Sequence, residues 1–143
     1  MNFMKDKIFV DTNILIYAHD LDAGKKHDIA ASIVEELWKN ENGVISTQVL
    51  QEFYVNVTKK ITKPLSYSTA RGIIENYSLW HIETNKADSV LRASEIEERH
   101  QLSFWYALII AAASKAETGK ILTEDLNHGQ TIEGILIENP FKS

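Results

Sequence analysis

Ile8-Phe9-Val10-Asp11-Thr12-Asn13 is the stretch whose reading decides the fold. A short apolar run stops abruptly at a carboxylate followed by two small polar side chains. An uninterrupted apolar run suits a strand covered on both faces, as in a parallel sheet flanked by helices. Ligand sites in such sheets lie at the carboxyl ends of the strands, which is where Asp11 falls.

Outward from that strand, the chain alternates strand and helix patterns. Residues 14–18 start a mostly apolar turn or short helix, so Asp11 stands at a strand-to-helix junction. Ile29, Ile33, Val34, Leu37 and Trp38 form a helical stripe over residues 27–40, ended by Asn42-Gly43. Residues 44–46 are a short strand. Thr47 is placed to cap a helix carrying Val49, Leu50, Phe53, Tyr54 and Val57 on its apolar side, with Glu52 inside it and Pro64 beyond its end.

Further on, residues 66–76 read as a helix and 79–82 as a weakly alternating strand. Asn85 resembles an N-cap for a helix whose pattern includes Val90, Leu91, Ser94 and Ile96. Ser103 opens a helix that is apolar all round from Phe104 to Ala113, which implies burial on most sides. Gly119 ends it, residues 120–123 form a strand followed by Glu124-Asp125, and residues 132–137 supply a last strand. The order implies one α/β domain over 1–143, a three-layer α/β/α sandwich around a small, mainly parallel sheet.

Composition narrows the class. Among 143 residues, 44% are hydrophobic and 24% charged, ordinary globular values that exclude wholesale disorder. The absence of cysteine removes disulfides and thiolate metal sites and makes the cytoplasm the default compartment. Lys5 and Lys7 flank Asp6 before an apolar run too short for a signal peptide or a membrane span, so no membrane association is expected. A net charge of −5 argues against a broad basic surface, though not against an enzyme that clusters carboxylates around a cation. The five histidines show no zinc-ligand spacing.

Three acids occupy comparable places: Asp11 after one strand, Glu52 in the helix after another, Asp125 after a third. Taken singly, Asp11 is equally a helix cap and Asp125 equally a turn former, while a lone Glu52 is more often a solvated helix residue. Jointly they make a cluster that resists ionisation without a cation, and Mg²⁺ or Mn²⁺ with oxygen ligands would offset the repulsion. Thr12, Asn13 and Thr123 are polar neighbours able to orient carboxylates or water. Lys59, Lys60 and Lys63 are candidates for guiding phosphates, although a lysine run at a helix end is more often solvated surface. Tyr17, Tyr54 and Trp105 are candidates for base stacking, although aromatics at helical spacing more often fill a core. A dehalogenase-like phosphotransferase needs a second Asp where Asn13 stands, and a dinucleotide binder needs a glycine-rich turn after the first strand.

Asp11-Thr12-Asn13 after a strand, Gln51-Glu52-Phe53-Tyr54 in a helix, Ser103-Phe104-Trp105 opening an alanine-rich helix, and Thr123-Glu124-Asp125-Leu126 after a late strand together resemble a PIN domain, most closely the VapC-type toxins of toxin/antitoxin pairs. The resemblance spans nearly the whole chain. It implies a metal-dependent endoribonuclease in which Asp11, Glu52 and Asp125 hold Mg²⁺ or Mn²⁺ against an RNA phosphodiester, with a protein antitoxin as partner and a homodimer as an assembly. One position departs from the family pattern. An acid usually follows Phe-Trp, and Tyr106 stands there. A tyrosine is neutral at pH 7 and a poor ligand for Mg²⁺, so the resemblance implies attenuated or lost activity, or a non-catalytic module that binds RNA or an antitoxin.

Overall fold

The computed structural model describes residues 6–142, so Lys5 lies outside it. Its elements run β1 (Ile8–Val10), α1 (Thr12–His19), a short 3₁₀ turn (Leu21–Ala23), α2 (Lys25–Asn40), β2 (Gly43–Ser46), α3 (Thr47–Lys59), α4 (Tyr67–Tyr77), β3 (His81–Glu83), α5 (Ala87–His100), α6 (Phe104–Lys115), β4 (Lys120–Leu122), β5 (Thr131–Ile132) and β6 (Ile135–Glu138). The six strands form one sheet in the order β3-β2-β1-β4-β6-β5. All neighbours pair parallel except the β5–β6 edge. The α/β/α sandwich and its mainly parallel sheet are as the sequence implies.

The strand order explains why the chain's first strand anchors everything else. From β1 the chain moves to β2 and β3 on one side, then returns to place β4 against the other edge of β1. This reversal is a topological switch point, and the crevice outside the carboxyl ends of β1 and β4 is where such sheets bind ligands. Asp11 follows β1 and Asp125 follows β4. Phe9, Val10, Val44, Ile45, Ile121 and Ile137 bury the sheet completely or nearly so. Against it lies α6, whose segment from Ala107 to Ala113 is buried throughout, in keeping with its lack of a polar face.

Several local expectations are corrected. Ser46, not Thr47, caps α3: its side chain accepts from the Val49 N–H, while the Thr47 hydroxyl accepts from the Asn85 N–H 3.2 Å away. Asn85 lies one residue ahead of the cap of α5, which falls to Lys86, whose own N–H donates to Ser89 Oγ at 2.9 Å. Val90 and Leu91 are exposed, and Ala93 and Ile96 make the buried stripe. α2 ends at Glu41 in the left-handed region with φ 53°, ahead of Asn42-Gly43, and α6 ends at Ala116, three residues before Gly119. The third strand begins at His81 because Leu79 and Trp80 belong to the turn leaving α4, where the Trp80 N–H donates to the Tyr77 carbonyl.

The tail is a hairpin, not one strand. Ile132 pairs with Ile135, leaving Glu133 and Gly134 as a two-residue turn with φ 50° and 79°. Positive φ at both central positions is the type I′ geometry whose twist matches the flanking strands. Glutamate is an uncommon residue there, and it is held by α5: Arg92 donates to Glu133 at 2.5 Å, Arg99 at 2.7 Å, and His100 lies at 2.8 Å. These neighbours keep the Glu133 carboxyl well below the usual range, at about 2, with His100 and Arg99 hydrogen bonding as the main causes.

Candidate functional site

A cleft of about 610 Å³ opens at the switch point, and its lining includes Asp11, Thr12, Asn13, Glu52, Tyr106 and Asp125. Five of these six lie within a turn of an element end, as a parallel sheet dictates. Glu52 comes from the middle of α3, which runs past the crevice. The structure therefore brings to one place all three sequence-predicted acids and Tyr106.

Asp11 is the most constrained. It is 4% exposed, its backbone N–H donates to the Leu122 carbonyl of β4, and both carboxylate oxygens are engaged. Oδ1 accepts from the Thr12 N–H and Oδ2 from the Thr123 hydroxyl, each at 2.7 Å. Burial pushes the carboxyl up to about 6, against the lowering effect of those two hydrogen bonds and with further upward pressure from Asp125 and Glu52. The cap reading of Asp11 holds, since it precedes the first turn of α1, and the same residue lines the cleft.

The polar neighbours bind the carboxylates together. The Thr12 hydroxyl donates to Glu52 Oε1 at 2.7 Å, the Asn13 amide to Asp125 Oδ2 at 2.8 Å, and the Asp125 N–H to Thr123 Oγ1 at 3.1 Å. Thr12, Asn13 and Thr123, the polar neighbours named from the sequence, thus each donate a side-chain hydrogen bond to one of the three carboxylates. Sequence reasoning missed Gln48, one turn before Glu52 on the same helix face. Its amide donates to Glu52 Oε2 at 3.4 Å and to the Trp105 carbonyl at 3.3 Å, tying α3 to the start of α6. The i, i+4 spacing to Glu52 was the signal that would have found it. Glu124 was also missed as a clamp: its carboxylate accepts from the Tyr17 hydroxyl of α1 and from Lys26 of α2 at 2.9 Å, fixing the loop that carries Asp125.

Tyr106 sits at the third position of α6, where its N–H donates to Ser103 Oγ at 3.3 Å. Its phenol is pushed above the usual range, first by burial and then by the adjacent Asp125 carboxylate, so it stays protonated at any physiological pH. Of the three lysines, Lys60 lines the cleft, whereas Lys59 and Lys63 lie outside its wall. Trp105 is 62% exposed at the rim, against the expectation that it fills the core, while Tyr17 is engaged with Glu124.

Among the described residues, no group of three or more His, Cys, Asp or Glu side chains is drawn close enough together to hold a metal ion. The donor set still suits a hard cation. All candidate donors are oxygens, and Asn13 Oδ1 and Gln48 Oε1 are buried without a hydrogen-bond partner. Like charges around Asp11 add a repulsion that a cation relieves. Mg²⁺ needs one or two carboxylates, with waters completing its octahedron.

Residues 8–132 match the family model described as PIN domain. A comparison with curated protein sequences returned no match. Among solved structures, the chain resembles a toxin-antitoxin complex from Klebsiella pneumoniae with TM-score 0.70 and 22% identity, covering 96% of this chain and 100% of the other. It also resembles VapC20 of Mycobacterium tuberculosis, described as a Sarcin-Ricin loop cleaving toxin, with TM-score 0.64, 22% identity and coverage of 80% and 87%. DNA-bound VapBC from Salmonella typhimurium gives TM-score 0.64, 19% identity and coverage of 94% and 98%. At these identities the structural likenesses speak to fold, and the family match over residues 8–132 speaks to membership: the chain belongs to the PIN domain family.

Proposed function

We propose that this chain is a PIN-type endoribonuclease, the toxin of a toxin/antitoxin pair, whose activity is attenuated by Tyr106. The observation that carries the reading is the convergence of Asp11, Glu52 and Asp125 on one cleft that Tyr106 shares. Asp11, Glu52 and Asp125 are the residues that would hold Mg²⁺ or Mn²⁺, and a bound ion supplies an activated water and stabilises charge on the phosphoryl oxygens. Thr123 and the Thr12 N–H fix Asp11, the Thr12 hydroxyl and Gln48 fix Glu52, and Asn13 fixes Asp125, so the carboxylates meet substrate already oriented. Tyr106 contributes bulk and a neutral phenol where an acid would add charge.

The partner on this reading is a protein antitoxin, the compartment is the cytoplasm, and the chain works as one domain without membrane association, alone or as a homodimer. None of its described helices is long and apolar enough to cross a membrane. The test is RNA cleavage with Mg²⁺ or Mn²⁺ by this chain beside Tyr106→Asp. Weak or no cleavage by the parent and metal-dependent cleavage by the variant are the expected pair. Robust cleavage by the parent refutes attenuation. Cleavage by neither favours the second reading, a non-catalytic module that binds RNA or an antitoxin, which the phenol beside Asp125 supports.

A further inference from the structure

Charge is segregated along the chain. Residues 53–74 hold Lys59, Lys60, Lys63 and Arg71 and no Asp or Glu, in a chain whose net charge is −5. All four cations are exposed. Lysine and arginine ion pairs among the described residues engage Lys26, Lys39, Arg92, Arg99 and Lys120, and leave these four unpaired.

Two aromatic rings meet at that surface, Tyr67 exposed and Tyr54 behind it, partly buried against the core. Tyr54 of α3 and Tyr67 of α4 stack with centroids 6.4 Å apart and planes inclined by 24°. Lys59 Nζ lies 5.0 Å from the Tyr67 ring centroid, and Tyr67 remains 56% exposed. Gln51, Val55 and Lys59, four residues apart, make one exposed row on α3. Its first two members line the cleft, and its third stands at Tyr67. On α4, Tyr67 and Arg71 are likewise four apart and share a face. A polymer leaving the cleft over Gln51 and Val55 thus reaches the tyrosine stack after about 12 Å of helix.

We infer that Tyr54 and Tyr67, flanked by Lys59, Lys60, Lys63 and Arg71, form a subsite that stacks a base of single-stranded RNA leaving the cleft and binds its phosphates. The inference rests on the ribonuclease reading above. An aromatic face accepts any base, and cations alongside neutralise the backbone, the combination that serves single-stranded nucleic acid without sequence preference. A duplex keeps its bases stacked on one another and offers no free face, so the subsite selects unpaired RNA.

The test uses the full chain and a short labelled single-stranded RNA in EDTA, read by fluorescence anisotropy. Tyr67→Ala should weaken binding on the order of 5- to 150-fold, the range for loss of one base stack, while Tyr67→Phe retains it. Lys63→Ala should lower the slope of log affinity against log salt by about 0.7. A duplex of the same sequence should bind more weakly, and circular dichroism should report the same fold for each variant. Equal affinity of Tyr67→Ala and parent overturns the subsite, as does equal affinity for duplex and single strand. Tyr106→Asp separates the two readings. If it cleaves RNA and its affinity is indifferent to Tyr67→Ala, the subsite falls and the ribonuclease stands; if it cleaves nothing while binding still needs Tyr67, the reverse holds.

Discussion

Asp11 carries a charge that the fold resists. A carboxyl raised from 3.8 to about 6 binds its proton more tightly folded than unfolded. Stability from this group is therefore complete below about pH 4 and is lost as pH rises through about 6. A shift of about two units corresponds to about 3 kcal/mol at neutral pH. Asp11→Asn cannot ionise, so the stability difference between variant and parent should move in the variant's favour by up to that amount between pH 4 and 7. Denaturant unfolding across the range checks it, and parallel curves for the two proteins would discard the buried-charge account. At this scale the sequence was partly legible. Asp11, Glu52 and Asp125 showed themselves by following apolar strands or facing their ends. Gln48 and Glu124 did not, because their roles depend on partners 57 and 107 residues away.

At the scale of elements, the strand and helix types were readable from periodicity, while caps and turns depended on competition between neighbours. Thr47 and Asn85 each look like caps in isolation, and in the structure the cap positions fall to their neighbours Ser46 and Lys86, with the Asn85 N–H donating to the Thr47 hydroxyl. The Glu133-Gly134 turn lacks the Asn-Gly or Asp-Gly signature of a tight hairpin, so the tail read as one strand. What makes the turn work is the Arg92, Arg99 and His100 cluster of α5, which no local pattern reveals. Gly43 shows the same dependence on distant packing. A Cβ there would meet Trp80 Cζ3 at 2.5 Å, and that indole is wedged edge-on against Trp38 and Tyr77. Gly43→Ala should cost about 1–3 kcal/mol, measured by chemical denaturation, because the ring must shift out of its packing against Trp38 and Tyr77. An unchanged unfolding midpoint would show that the β2 edge is looser than the packing implies.

At the scale of the molecule, one sheet reversal gathers acids that are 41 and 73 residues apart in sequence into a single crevice. The parallel sheet made that gathering foreseeable, whereas the shape of the cleft came only from setting α1, α3 and α6 around it, and the neighbouring basic surface from packing α4 on α3. The proposed metal dependence has a whole-molecule readout that needs no substrate. Binding to the folded state alone stabilises it, by about 2.7 kcal/mol when free ion reaches 100 times its dissociation constant. Millimolar Mn²⁺ should therefore raise the melting temperature of Tyr106→Asp more than that of the parent. Equal shifts in the two proteins would remove position 106 from the ion's surroundings.

Ser103 closes the first turn of α6 through the backbone N–H of residue 106, whatever side chain that residue bears. The helix start thus accepts either a phenol or an acid, and its dipole favours the acid. Tyrosine and aspartate codons differ only in their first base, T against G. On the proposed reading, a lineage carrying this chain is one transversion from the full acidic set, with the scaffold already in place. Prolonged culture with an intact antitoxin should let that change drift in silently, whereas culture without one should purge it, so the residue found at 106 becomes a record of whether the partner was present.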